Sequence, residues 1–250
     1  MTLAVAHSGA GADLVLIHGW GMNAAVWREW LPHLEPHWRV HRVDLPGHGA
    51  SPWSGETSLD EWCAAVADSV PEGALWLGWS LGGQLALEAA RRGWARAVVA
   101  VAANPRFVQA PDWPWAMELG VLDRFAAELR TDLDATVRRF LALQVQGGAA
   151  AGATLRRLRR ALAQAGVARP EALEAGLELL KTVDLRPALP QIEVPLVWIL
   201  GGRDRLVPPA LAPALARLRP DDAVHLLPEA GHAPFLSHAM AMAALMEGMA

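Results

Sequence analysis

Short apolar runs alternate with longer amphipathic ones along this chain. Leu14–His18, Val40–Leu45, Ala74–Trp79, Ala97–Ala103, Pro195–Leu200 and Ala223–Leu227 are each short and rich in Val, Ile or Leu. Unbroken apolarity over so few residues predicts strands buried on both faces, as in a parallel sheet covered by helices. Helical stretches lie between them. Ser58-Leu-Asp-Glu61 predicts a capping box at one helix start. Leu81–Arg92 reads as a second helix, and Pro208–Leu218 as a third whose prolines suit a first turn. The alternation predicts a mostly parallel, doubly wound α/β sheet.

The alternation stops between Asn104 and Pro190. Val121–Leu143, Thr154–Ala165 and Pro170–Val183 all read as helix, with Gly147–Ala153 as a loop among them. Prolines at 105, 111, 114, 187 and 190 punctuate the borders. The expected organisation is a core from 1–104 and 190–250, with 105–189 inserted as a helical cap.

Composition narrows the function classes. Of 250 residues, 53% are hydrophobic and 19% charged, which excludes disorder for the chain as a whole. A net charge of −4 gives no general field for nucleic acid or an anionic membrane. The single cysteine, Cys63, excludes an internal disulfide framework and a multi-cysteine zinc site. The N-terminal stretch has no basic region followed by a long apolar one, and no apolar run approaches membrane-spanning length. A cytoplasmic monomer without a membrane or nucleic-acid partner is expected. No metal is expected, since there is neither an HExxH nor an acidic EF-hand-type loop. No nucleotide cofactor is expected either. No GxGxxG opens a helix after the first strand, and the only lysine, Lys181, lies outside any Walker pattern.

The sharpest chemical signal is Gly78-Trp79-Ser80-Leu81-Gly82-Gly83. It fits G-x-S-x-G, with an apolar strand before it and an amphipathic helix after it. Such a turn projects a serine hydroxyl at the sheet edge, and the flanking glycines let the backbone pass close by. An incidental serine in a glycine-rich turn would be the bland reading, and the strand–turn–helix context weighs against it. His18-Gly19-Trp20-Gly21 follows the first strong strand, and Asp44-Leu-Pro-Gly-His-Gly49 follows the second. With the serine turn after the third, the chain from about Leu14 to Phe235 resembles the α/β-hydrolases.

That resemblance implies a nucleophile, an acid and a histidine in chain order. Ser80, Asp204 of Gly201-Gly-Arg-Asp204, and His232 of Ala230-Gly-His232 fill those places. His232 would be the base, and Asp204 would hold its tautomer. Asp44, Asp221 and Asp222 are the competing acids. Among the other histidines, His33, His37 and His41 are expected in or beside a solvated surface helix, and His18 and His48 as loop braces. His225 falls within a strand, and His238 begins a C-terminal helix. The backbone N–H groups of Trp20 and Leu81 are the implied oxyanion donors.

A narrower resemblance covers HGWGMNAAVW, VDLPGHG, WLGWSLGG, Phe140-Leu-Ala-Leu-Gln144, Leu179–Arg186 and GHAPF. These segments look like the pimeloyl-(acyl-carrier-protein) methyl ester esterases of biotin synthesis. The resemblance implies substrate contacts at Trp20, Ser80, Leu81, Phe140, Leu143, Gln144 and His232. Trp20, Trp79, Phe140 and Leu143 are expected to line an apolar channel, although Trp79 reads equally as core filler. The partner implied is an acidic acyl carrier protein. Residues 135–169 carry seven arginines and no acid. Arg138, Arg139, Arg156, Arg157, Arg159 and Arg160 are the candidate docking set. Ala135 and Gly152 stand where family members can have arginine, and a solvated helical face is the plain alternative. Other open readings are a short-chain esterase, a thioesterase or a C–C bond hydrolase with the same triad. A non-catalytic hydrolase-fold binding protein would need a broken triad.

Overall fold

A computed structural model describes residues 2–166, 168–247 and 249. Among the described residues, seven strands form one sheet in the order β1-β3-β2-β4-β5-β6-β7. They are β1 Val5–Ser8, β2 Ala12–Ile17, β3 Trp38–Val43, β4 Leu75–Trp79, β5 Ala97–Val101, β6 Leu196–Gly201 and β7 Ala223–Leu227. All neighbours are parallel except β1, which runs antiparallel to β3 with Val5 opposite Val43. Among the described residues the α-helices are α1 Leu31–Leu34, α2 Leu59–Ala67, α3 Leu81–Arg91, α4 Leu119–Thr131, α5 Leu133–Val145, α6 Ala151–Ala165, α7 Pro170–Thr182, α8 Ala212–Leu218, α9 Pro234–Ser237 and α10 Ala239–Ala244.

Local chemistry explains the element ends. Ser58 Oγ accepts from the Glu61 N–H while the Glu61 carboxylate accepts from the Ser58 N–H, so α2 starts at a full capping box. β4 and β5 are buried at every position, as their unbroken apolarity predicts. Two apolar layers flank the sheet. One includes Trp62, Leu85, Phe107 and Leu177. The other includes Trp27, Trp30, Trp79 and Phe235.

Three expectations need correction. β1 was missed, because Val-Ala-His-Ser has little apolar content and its edge position leaves both ends only half-buried. The stretch 121–143, expected as a single helix, is two helices. The Asp132 side chain accepts from the Ala135 N–H and so caps α5, ending α4 one residue earlier. His41 is not solvated. It lies on β3, is 4% exposed, and hydrogen-bonds Asp13 Oδ1 through Nε2 at 2.6 Å and His7 Nδ1 through Nδ1 at 2.9 Å. His33 and His37 are exposed as expected.

Helices α4–α7 lie between β5 and β6 in sequence and pack back on the loops that follow the strands. The Arg169 N–H donates to the Gly47 carbonyl, and the Ala149 N–H to the Glu229 carbonyl. Asn23 Nδ2 reaches the Ala161 carbonyl at the end of α6. Because β2, β4, β6 and β7 are parallel, residues just past their C-terminal ends share one edge of the sheet. In open α/β sheets, that edge is where ligands bind.

Candidate active site

Ser80 follows the last residue of β4 and caps α3 with φ 56° and ψ −117°. A left-handed φ on a residue with a Cβ costs about 1–3 kcal/mol and persists only when the surroundings enforce it. The enforcement is visible on both sides. A Cβ on Gly78 would fall on the Gly82 carbonyl, and one on Gly82 would fall on the Ile17 carbonyl. Only glycines let β4, the turn and the end of β2 pack this closely. The Ser80 N–H donates to the Val101 carbonyl at 2.9 Å, which ties the turn to β5.

Asp204 lies three residues past β6, and His232 five past β7. His232 Nδ1 meets Asp204 Oδ2 at 2.7 Å, with both side chains fully buried. Asp204 Oδ1 accepts from the N–H groups of Leu206 and Val207 at 2.8 and 3.0 Å. The carboxylate is thereby fixed in place, and its second oxygen is aimed at the imidazole. His232 is held from two further sides. Its N–H donates to the Gln144 carbonyl on α5 at 3.2 Å. Its own carbonyl accepts from the Trp79 indole N–H at 2.7 Å. His232 Nε2 is buried and has no hydrogen-bond partner among the described residues.

The Ser80 hydroxyl is not hydrogen-bonded to that nitrogen, so the expected chain of three is joined only at its Asp204–His232 link. Nucleophile–base hydrogen bonds are often long before substrate binds and tighten in the complex. Ser80 nevertheless adjoins Trp79, whose ring centroid lies 5.7 Å from that of His232. Trp79 is a brace rather than a channel wall. Its ring packs on Phe235 and Trp27 as well as on His232. Sequence alone could not separate these roles, because a tryptophan before the nucleophile suits both.

The N–H groups of Trp20 and Leu81 donate to no other described residue. Leu81 begins α3, where the first N–H groups have no intrahelical acceptor and favour negative charge. The Trp20 loop adjoins the serine, since a Cβ on Gly19 would lie 3.1 Å from Ser80 Cβ. Phe140 meets the Trp20 ring edge-on at 4.7 Å. Leu143 is only half-buried. Trp20, Ser80, Leu81, Phe140, Gln144, Asp204 and His232 are all at most 4% exposed, so the site is shielded from solvent in this conformation.

Asp44 and two histidines brace the loops. Asp44 accepts from Ala24 N–H through Oδ1 at 2.7 Å and from Ala50 N–H through Oδ2 at 3.0 Å. It ties two loops together and does not touch His232. His18 Nε2 accepts from the Leu45 N–H, which leaves Nδ1 to donate to the Gly19 carbonyl. His48 Nδ1 pairs with the Pro46 carbonyl. Burial lowers His18 to about 4 and His48 to about 3, from an ordinary 6.5.

Both depressed values make stability depend on pH. The unfolded chain takes up these protons below about pH 6.5, while the folded chain refuses them until about 4 and 3. Their contribution is therefore complete above pH 6.5 and shrinks as pH falls through the window down to the folded values. At roughly 1.4 kcal/mol per group per pH unit, moving from pH 7.5 to 5 should remove about 2–4 kcal/mol of unfolding free energy. Urea titrations at the two pH values check this, and His48→Gln should flatten the dependence. Equal stability at both would contradict it.

The arginines divide into two groups. Arg139 pairs with Glu128 at 2.5 Å, while Arg157 and Arg160 both reach Glu29, at 2.9 and 3.1 Å. Arg157 also donates to the Leu236 carbonyl. These acids come from other elements, so the acid-free sequence window is not acid-free in space. Arg138, Arg156 and Arg159 are exposed and form no ion pair among the described residues. No group of three or more metal-ligating side chains occurs among the described residues. No helix among them is long and apolar enough to cross a membrane.

The alpha/beta hydrolase family model matches residues 14–245, and the chain belongs to that family. Within it, the chain is similar to pimeloyl-(acyl-carrier-protein) methyl ester esterases. It is 46% identical to that of Xanthomonas oryzae pv. oryzae, covering 92% of each chain. It is 44% identical to that of Methylococcus capsulatus, covering 95% of this chain and 94% of the relative. An esterase from Exiguobacterium antarcticum shares the fold with a TM-score of 0.86 at 19% identity, covering 98% of this chain and 93% of that one.

Proposed function

We propose that this protein is a serine carboxylesterase that cleaves the methyl ester of a pimeloyl-acyl-carrier-protein methyl ester, leaving pimeloyl-acyl-carrier protein and methanol. The observation that carries the reading is the 43–46% identity, over about nine-tenths of the chain, to relatives bearing that activity in their names. The buried Asp204–His232 pair beside the Ser80 turn supports the chemistry independently.

Ser80 Oγ attacks the ester carbonyl while His232 Nε2 takes its proton. Asp204 keeps the other imidazole proton on Nδ1 and stabilises the imidazolium. The N–H groups of Trp20 and Leu81 donate to the oxyanion, a contribution worth about 10²–10³ in rate per donor. His232 then protonates the departing methoxide. Water, deprotonated by His232, hydrolyses the acyl-enzyme to the free carboxylate. The thioester to the carrier lies at the far end of the chain and is untouched. Phe140, Leu143 and Gln144 on α5 contact the acyl chain. The insertion, residues 105–189, is the cap over it. No cofactor takes part.

Arg138, Arg156 and Arg159 are the free members of the docking set and steer the acidic carrier. Arg139, Arg157 and Arg160, already paired with Glu128 and Glu29, hold the helices that present them. Steering of this kind acts mainly on association rate and weakens with salt.

The test compares kcat/KM on the carrier-bound methyl ester with that on p-nitrophenyl butyrate, at low and high salt. The carrier substrate should be favoured, with methanol as the co-product. Arg156→Glu with Arg159→Glu should cost about tenfold on the carrier substrate at low salt and little on the free ester. Release of free carrier thiol instead of methanol would make the protein a thioesterase. Fast turnover of simple esters alone would make it a short-chain esterase.

A further inference from the structure

Trp20 is joined to the insertion as well as to the core. Its indole N–H donates to the Leu173 carbonyl on α7 at 2.8 Å, across 153 residues of sequence. One turn later on the same helix stands Gly176. A Cβ there would lie 2.8 Å from Trp20 Cδ1, 3.3 Å from its Nε1 and 3.5 Å from Leu81 Cδ2. The first of these distances is closer than a Cβ can approach a ring without displacing it. One bare Cα thus faces the side chains of both residues whose N–H groups are the proposed oxyanion donors. Phe140 closes the other side of the indole, and Leu173 lies 3.7 Å from where a Cβ on Gly21 would be.

Gly176 is otherwise an odd choice. It is buried in the middle of a thirteen-residue helix, where glycine is a poor former and alanine the best. Its neighbours Ala172 and Ala175 are also small and buried, and at 176 even a methyl group is missing. The fold accepts a weaker helix at a position where a methyl group would strike the indole.

We infer that Gly176 is a positioning residue: by leaving room for the Trp20 indole to lie against α7 and bond the Leu173 carbonyl, it sets the Trp20 loop, and with it the oxyanion-facing N–H, when the insertion is closed. This rests on the acyl-transfer reading of Ser80. The consequence is that closure and oxyanion geometry are one event. The insertion also grips the base, through the Gln144 carbonyl on the His232 N–H. An ester bound under an open insertion would therefore meet an unformed donor set, and closure would complete it.

The experiment uses p-nitrophenyl butyrate, so that carrier recognition plays no part. Gly176→Ala should shift the thermal midpoint by only a few degrees, since it gains helix propensity but displaces the buried Trp20 indole from its bond to Leu173. It should lower kcat by about 10- to 100-fold, the scale of a misplaced oxyanion donor, with a small change in KM. Trp20→Ala, which removes the whole indole, should itself lower kcat. Adding Gly176→Ala to it should cost no more than a further twofold, because the clash is gone. The Trp20 indole N–H resonance, assigned by its loss in Trp20→Ala, should exchange slowly with solvent in the wild type and fast in Gly176→Ala. A Gly176→Ala enzyme within twofold of wild-type kcat would overturn the inference. So would an equal loss in the Trp20→Ala background, which would place the effect elsewhere in α7. A wild type without any esterase activity would instead overturn the acyl-transfer reading itself.

Discussion

Ser80→Ala should lower ester turnover by roughly 10⁶-fold in kcat, the scale seen when a hydrolytic serine nucleophile is deleted. The fold stays intact, because the side chain makes no hydrogen bond that the turn depends on. The turn is tied by the Ser80 N–H to Val101 and by the Gly83 N–H to the Ser80 carbonyl, and both bonds survive the substitution. Alanine also keeps the same unfavourable φ of 56° and so should neither gain nor lose much stability. Ser80→Gly makes the comparison sharper. It abolishes turnover equally, yet relieves the strain and should raise unfolding free energy by about 1 kcal/mol. Methanol release and urea titration on the same preparations separate the two effects. Retained turnover in Ser80→Ala would mean that the nucleophile is elsewhere. A large loss of stability would mean that the hydroxyl holds the turn.

This serine was legible in the sequence because everything that makes it unusual is local. β4, the turn and α3 are contiguous, and the two glycines sit two residues either side. Asp204 and His232 were legible for the same reason, each lying in a short loop after a recognisable strand. What joins them was not. Trp79 to the His232 carbonyl and Trp20 to the Leu173 carbonyl each span 153 residues. Backbone carbonyls carry no residue identity, so no sequence pattern announces them. Gly176 could be read only as a helix-weakening residue until the ring it accommodates was in view. The arginines show the converse. A window without acids suggested one uncompensated patch, but Glu29 and Glu128 reach it from outside the window and neutralise half of the set. His41 reads as solvated because it follows a predicted surface helix, while its buried environment is supplied by β1 and by Asp13 on β2, partners that are remote in sequence.

Asp204→Asn is the second large effect, and it tests the tautomer rather than the nucleophile. The side chain is nearly isosteric and its site is specific about which atom goes where. One oxygen accepts from the Leu206 and Val207 N–H groups, so the amide oxygen of the asparagine takes that place. The amide nitrogen is then left facing His232 Nδ1, where Asp204 Oδ2 stood at 2.7 Å. An NH₂ group can only donate there, which moves the imidazole proton to Nε2. Nε2 is the buried nitrogen without a partner among the described residues, the one that accepts from Ser80 in the proposed mechanism. Protonated, it cannot act as the base. The expected loss is about 10⁴-fold in kcat, the scale associated with a wrong tautomer in serine hydrolases, with KM nearly unchanged. Nitrogen chemical shifts of His232 should report the proton moving from Nδ1 to Nε2. Asp44→Asn is the control, since Asp44 ends an earlier strand and was a rival for the same role. Both of its oxygens accept backbone N–H groups, from Ala24 and Ala50, so an asparagine there must turn a donor towards a donor. It should therefore lower stability by about 1–3 kcal/mol while leaving the His232 tautomer in place. A Asp204→Asn enzyme within tenfold of wild type, or an Asp44→Asn enzyme with the displaced proton, would reassign the acid.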